Sequence, residues 1–97
     1  MVIFLTDFKL TLLLHPSIGS INSSLSGMIK SDTRILEGII SVIEQDESVA
    51  NLLVIDKELK PGYLFISNKR ELKTTGIINE KITSDMDVRI IPISHGG

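Results

Sequence analysis

The chain has 97 residues, 42% of them hydrophobic, with ten Lys and Arg against twelve Asp and Glu and a formal net charge of −2. This suits one small domain with a single core, and it disfavours both a disordered chain and a basic nucleic-acid surface. Cysteine is absent, which excludes disulfides, thiolate catalysis, Cys-ligated zinc and iron–sulfur clusters, and fits a reducing, cytoplasmic setting.

The apolar start, Met1 to Leu5, lacks a basic n-region and is interrupted by Asp7 and Lys9, so it does not read as a signal peptide. Residues 1–6 read as an extension at the front of a single domain spanning 1–97. No apolar run approaches the ~20 residues of a membrane-spanning helix, so no membrane partner is expected. Phe8 to Leu14 (FKLTLLL) predicts a strand stopped by His15-Pro16. Ser17 to Ser26 is rich in Ser, Gly and Asn and predicts a loop, with a short second strand near Leu25 to Ile29.

The period then changes. Ser31, Asp32 and Thr33 offer N-cap residues, and Ile35, Leu36, Ile39, Ile40 and Ile43 form one apolar helical face opposite Glu37, Glu44 and Gln45. A helix from about Thr33 to Gln45 is predicted, its isoleucines dependent on burial for stability. Leu52 to Ile55 (LLVI) predicts a buried connection or brief strand, and Lys60-Pro61-Gly62 a turn. Tyr63 to Ser67 (YLFIS) predicts a strand, Asn68-Lys69 the next turn, and Glu71-Leu72 a short edge strand. Thr74 to Thr83, broken by Gly76, has no clear period. Asp85-Met86-Asp87 predicts a turn into the last strand, Val88 to Ile93, where Pro92 marks a strand end or edge. Strand, loop, strand, helix, strand, short strand, strand describes an α+β roll, with the helix on one face of a mixed sheet.

The residues offer no self-sufficient catalytic site. His15 and His95 lie at opposite ends and match no local metal motif, and His15 reads as a solvated strand-end residue. No G-x-S-x-G elbow and no Gly-rich phosphate motif occurs. Asp85 and Asp87 fit turn and strand-entry roles. The remaining chemistry lies at the end of the sequence, where Gly96 and Gly97 follow a strand-like run. Glycines make a slim arm that can thread a channel too narrow for side chains, although chain ends also commonly fray. A carboxylate on Gly97 is a poor electrophile until activated, and with no nucleotide motif in this chain another protein must supply that activation.

The ending DMDVRIIPISHGG (Asp85 to Gly97) is similar to that of ubiquitin-like sulfur carriers of the β-grasp fold. The segment KPGYLFISNKREL (Lys60 to Leu72) and the His95-Gly96-Gly97 ending resemble the ubiquitin-related modifier branch. Pro92 before the tail resembles the small subunit of molybdopterin synthase and archaeal ubiquitin-like modifiers. The likeness covers Phe8 to Gly97 in element order, with its specific motifs in the last forty or so positions; Ile18 to Lys30 match no family motif.

The resemblance implies a ubiquitin-like β-grasp roll, with a mixed four- to five-stranded sheet, one main helix and a flexible tail at residues 95–97. It implies a monomeric carrier that is not itself an enzyme and binds no cofactor or metal. ATP and a sulfur donor would be used by a ubiquitin-activating-type partner that adenylates Gly97, with Gly96 as the adjoining link. The resulting thiocarboxylate would pass sulfur to a tRNA thiolase acting on wobble uridines, or to the large subunit of molybdopterin synthase in molybdenum cofactor biosynthesis. Conjugation to target-protein lysines is the other implied outcome, and a β-grasp interaction module that makes no chemical use of its tail is a further reading. The family's docking surface is the exposed sheet face near the tail, which points to Tyr63, Phe65, Arg89, Ile91, Ile93 and His95. Apolar strand residues such as these equally fit the interior.

Overall fold

The computed structural model describes residues 6–18 and 22–93. Five strands, β1 (Asp7–Leu14), β2 (Ser24–Lys30), β5 (Tyr63–Ser67), β6 (Arg70–Glu71) and β7 (Met86–Pro92), form one mixed sheet in the order β2-β1-β7-β5-β6. β1 and β7 are the parallel pair, with Leu12 beside Val88 and Leu14 beside Ile90. The other pairings are antiparallel. The expected α+β roll is therefore observed.

Alternation along the strands decides which side is covered. Leu10, Leu12 and Leu14 of β1, Val88 and Ile90 of β7, and Phe65 of β5 point to one face and are buried there. Helix α1 (Ile35–Ile43) lies across that face and buries Ile35, Ile39, Val42 and Ile43 in the same core. Gly38 lets the helix approach closely, since a Cβ there would lie 3.2 Å from Ile29 Cγ2 and 3.3 Å from Leu10 Cδ2.

Helix α1 is shorter than the expected Thr33 to Gln45, and its cap differs. Arg34 occupies the N-cap position with no side-chain hydrogen bond, in place of Ser31, Asp32 or Thr33. The Ile35 N–H instead donates to the Glu80 carbonyl at 2.9 Å, and the Ile82 N–H donates back to Thr33 O at 2.9 Å. A tertiary main-chain acceptor satisfies the donor that a side-chain cap would otherwise serve.

The LLVI segment divides between two elements. Leu52 and Leu53 close a second helix, α2 (Glu47–Leu53), and Val54–Ile55 form β3, which pairs with β4 (Glu58–Leu59) in a separate hairpin. Asp46 caps α2, its Oδ1 accepting from Ser48 N at 3.0 Å and Val49 N at 3.3 Å. Three further departures concern boundaries. β2 begins at Ser24, inside the expected loop, and Pro16–Ile18 form a 3-10 turn. Met86 and Asp87 belong to β7 rather than to a turn. Leu72 starts a short helix, α3 (Leu72–Thr75), ended by Gly76 at φ 81°. A second 3-10 turn, Ile77–Asn79, follows and places Ile78 in the core. Pro92 is the last residue of β7, opposite Tyr63, so the strand-end expectation holds although β7 is central.

Candidate functional site

The face of the sheet opposite α1 carries the other half of each alternating strand. Registers place Leu13, Arg89 and Ile66 side by side across β1, β7 and β5, with Leu64 beside Ile91 in the next open-face row. Of these, Arg89 is exposed and Ile66 and Ile91 are half-buried. The β5–β6 turn (Asn68-Lys69) and the acidic entry to β7 (Asp85, Asp87) rise at one end, giving a concavity of ≈ 590 Å³. A second hollow of ≈ 270 Å³ opens toward His15 and Pro16 at the end of β1. Leu13, Arg89 and Ile91 line both, so one shallow strip runs along the face with Arg89 at its centre.

Arg89 makes no ion pair among the described residues; the pair found there is Lys57 with Glu44, at 3.5 Å on the surface. A guanidinium flanked by Leu13, Ile66 and Ile91 can receive a carboxylate from a partner whose surface is otherwise apolar. Asp85 serves the fold, its Oδ1 accepting the Lys9 N–H at 2.8 Å and securing the start of the β1–β7 pairing. His15 caps the following 3-10 turn, its Nδ1 accepting from Ser17 N at 3.1 Å and lying 2.7 Å from Ser17 Oγ. Among the described residues no group of three or more His, Asp and Glu is placed to hold a metal. No helix among them is long and apolar enough to cross a membrane.

The structure divides the six residues expected on the docking face. Phe65 is fully buried beneath the sheet, and Tyr63, two residues away on the same side, packs half-buried against the core. Both belong to the α1 side and are removed from the docking surface. YLFIS is apolar at successive positions, so alternation separates Tyr63 and Phe65 from Leu64 and Ile66 without saying which pair is covered. Arg89 and Ile91 lie on the open face, and Ile93 just past β7 is 42% exposed. Leu13, Leu64 and Ile66 join them there; Leu13 shares its side of β1 with Lys9 and Thr11, a signal present in the sequence, whereas nothing local in YLFIS singles out Leu64 and Ile66.

The strand ladder ends where the Ile93 N–H donates to the Gly62 carbonyl at 2.8 Å. Ser94, His95, Gly96 and Gly97 follow in sequence. The expectations for His95, Gly96 and Gly97, including a flexible tail, lie outside the described residues, as do those for residues 1–5.

Comparison with family models found no match, and comparison with curated proteins found none. Solved structures share the fold. The HVO 2177 protein of Haloferax volcanii is 20% identical, with a TM-score of 0.66 over 94% of this chain and 88% of that one. Small archaeal modifier protein 1 of Haloferax volcanii is 11% identical, with a TM-score of 0.68 over 92% and 99%. Small archaeal modifier protein 1 of Methanosarcina acetivorans is 10% identical, with a TM-score of 0.64 over 95% and 99%. The chain has the ubiquitin-like β-grasp fold of these modifier proteins.

Proposed function

We propose that this chain is a ubiquitin-like sulfur carrier and protein modifier whose reactive group is the Gly97 carboxylate. The observation that carries the reading is the pairing of a modifier-type β-grasp fold with a Gly96-Gly97 ending. The central strand β7 carries Arg89 on the open face, and Ile93 follows it at the end of the sheet. The folded domain docks by that face, and the glycine arm reaches into the activating partner.

The chemistry is divided between the two proteins. In the partner, a Gly97 carboxylate oxygen attacks the α-phosphorus of ATP and pyrophosphate leaves, giving an acyl-adenylate. Hydrosulfide-level sulfur from a donor then attacks the acyl carbon and AMP leaves, giving a thiocarboxylate. Attack by a lysine amine instead gives an amide, with AMP and a proton released. This chain supplies the carboxylate, a linker slim enough to enter the site, and the docking surface. The thiocarboxylate serves tRNA thiolation; delivery to the molybdopterin precursor is the alternative, to which Pro92 at the end of β7 lends support.

Incubation with an adenylating enzyme of the ubiquitin-activating type, ATP and a sulfur donor, followed by intact-mass measurement, tests the proposal. Replacement of one oxygen by sulfur is the expected result, and a chain lacking Gly97 should remain folded and unmodified. Unmodified wild-type protein under conditions that convert a known carrier would refute the reading, as would modification that survives loss of Gly97. Addition of the two acceptor systems separately assigns the sulfur's destination.

A further inference from the structure

The two edges of the five-stranded sheet are built differently. β6 is two residues long and turns at once into α3. β2 runs for seven residues, Ser24–Lys30, without proline and with Lys30 as its one charged side chain, at the very end. Edge strands are ordinarily blunted by shortness, proline, bulges or charge. Apart from that terminal lysine, β2 has none of these.

The hydrogen-bond parity of this edge follows from its neighbour. Leu14 N donates to Ser23 O and Ser31 N to Thr6 O, both at 2.8 Å. With Leu12 opposite Leu25, Leu10 opposite Gly27 and Phe8 opposite Ile29, the odd-numbered residues of β2 direct their main-chain groups toward β1. Those of Ser24, Ser26 and Met28, and the Lys30 N–H, point outward and find no main-chain partner among the described residues. The Lys30 carbonyl accepts from Thr33 N at 2.9 Å.

We propose that this edge pairs with the β2 strand of a second copy, antiparallel about a two-fold axis at Gly27, so that two sheets become one. The strand is self-complementary in that register. Ser26 and Met28 of the second copy exchange both main-chain hydrogen bonds, and the Lys30 N–H donates to the carbonyl of the opposite Ser24. Lys30 faces Ser24, so the charged ends do not meet. Leu25 faces Ile29 on the helix side of the joined sheet. Gly27 meets itself at a non-hydrogen-bonded position, where Cα atoms come within ~4.5 Å and side chains crowd most. A shift of two residues shortens the ladder, and a shift of one sets outward groups against inward ones.

The side chains agree with the backbone. Met28 is 62% exposed, the most exposed large hydrophobic side chain among the described residues. Across the axis it lies diagonal to its own symmetry mate, roughly 7–8 Å away and within reach of a long side chain. The net charge of −2 opposes association only weakly. β1 separates this edge from β7, so pairing leaves Arg89 and Ile91 accessible in both copies. The dimer is independent of the tail chemistry, and the monomer expected from the sequence becomes its dilute state.

Sedimentation equilibrium of the full chain from micromolar to millimolar concentration should show reversible approach to twice the monomer mass. Amide exchange should slow with concentration at Ser26, Met28 and Lys30 and stay constant in Tyr63–Ser67. Ser26→Pro removes an outward N–H while sparing every bond to β1, and should hold the chain monomeric. Met28→Lys changes an exposed position without touching the core, brings cations together across the axis, and should weaken association severalfold even if the proline variant fails to fold. A wild-type chain that stays monomeric throughout the range would overturn the proposal, as would a dimer that Met28→Lys leaves intact.

Discussion

The Glu71 carboxylate joins two elements by their main chains: Oε2 accepts the Phe65 N–H at 2.8 Å and Oε1 accepts the Thr74 N–H at 2.7 Å. One side chain thus caps α3 and supplies an acceptor to β5, holding the β5–β6 hairpin against the helix that follows. Leu72, its neighbour, is buried. The Glu-Leu pair of the sequence therefore combines a polar clasp with a core anchor.

Loss of this clasp should lower stability with a distinctive pH signature. Partial burial raises the Glu71 pKa, but the hydrogen bonds from Phe65, Thr74 and Lys73 outweigh it, and the net shift is downward. A carboxyl group with a lowered folded-state pKa stabilises the fold above its unfolded value, and that contribution is lost as pH falls through the folded value. Glu71→Ala should cost about 2 kcal/mol near neutrality, the scale of a charged cap with two acceptor oxygens. The difference between wild type and variant should shrink below the usual glutamate range. Urea titrations from neutral to acidic pH measure this; a pH-independent difference would show that the carboxylate's charge is not involved.

Phe65 and Arg89 should separate stability from recognition. Phe65→Ala empties a fully buried position beneath the sheet and should destabilise by about 3–5 kcal/mol. Arg89→Glu replaces an exposed cation without an ion pair among the described residues, so stability should change by no more than about 0.5 kcal/mol. If the open face is the docking surface, the same variant should lower kcat/KM for activation by about tenfold or more. Thermal melts alongside adenylation assays distinguish the two effects, and wild-type kinetics for Arg89→Glu would move docking away from this face.

The elements legible in the sequence are those with a clear apolar pattern. α1 repeats apolar residues at helical spacing, β1 alternates in part, β5 and β7 are short apolar runs between turn signals, and glycine with proline marks the turn before Tyr63. The buried side of β5 is not legible, because Leu64 and Ile66 are as apolar as Tyr63 and Phe65. Only the position of α1 distinguishes them, and that depends on contacts far apart in sequence. α2 is hidden because its apolar end runs directly into β3, so LLVI shows no break between helix and strand. Asp46 followed by Ser48 and Val49 is the cap signal that marks it. The N-cap of α1 is obscured for a different reason, since the Glu80 carbonyl that serves Ile35 lies forty-five residues away in sequence.

Gly38 shows how closely α1 sits on the sheet. A glycine inside a helix is unfavourable by about 1 kcal/mol relative to alanine, so its place here needs a packing reason. The distances of 3.2 and 3.3 Å from a Cβ to Ile29 and Leu10 provide it. In Gly38→Ala the helix gain and the crowding oppose each other, and the net change should stay within about 1 kcal/mol. Gly38→Val adds branched carbons to the same gap and should destabilise by about 2 kcal/mol, lowering Tm by about 10 °C in a domain of this size. Calorimetry of both variants checks the pair. If valine is tolerated as well as alanine, the helix can lift from the sheet without penalty.

The two tight hairpins offer the opposite opportunity. Asp56-Lys57 and Asn68-Lys69 hold φ values of 50° and 65° in each turn. Two-residue loops with both central φ angles positive have type I′ character, which favours glycine at the second position, where a lysine Cβ is strained. Lys69→Gly relieves that strain without removing an ion pair found among the described residues, and should stabilise by about 0.5–1 kcal/mol, glycine's greater unfolded-state freedom offsetting part of the gain. Lys57→Gly gains the same backbone relief but loses the contact to Glu44 at 3.5 Å. Exposed pairs contribute about 0.2–1 kcal/mol, so its net gain should be smaller. Denaturant midpoints at low and high salt test the ordering. The two variants should converge as salt screens the Glu44 contact, and destabilisation of both would exclude left-handed strain at these lysines.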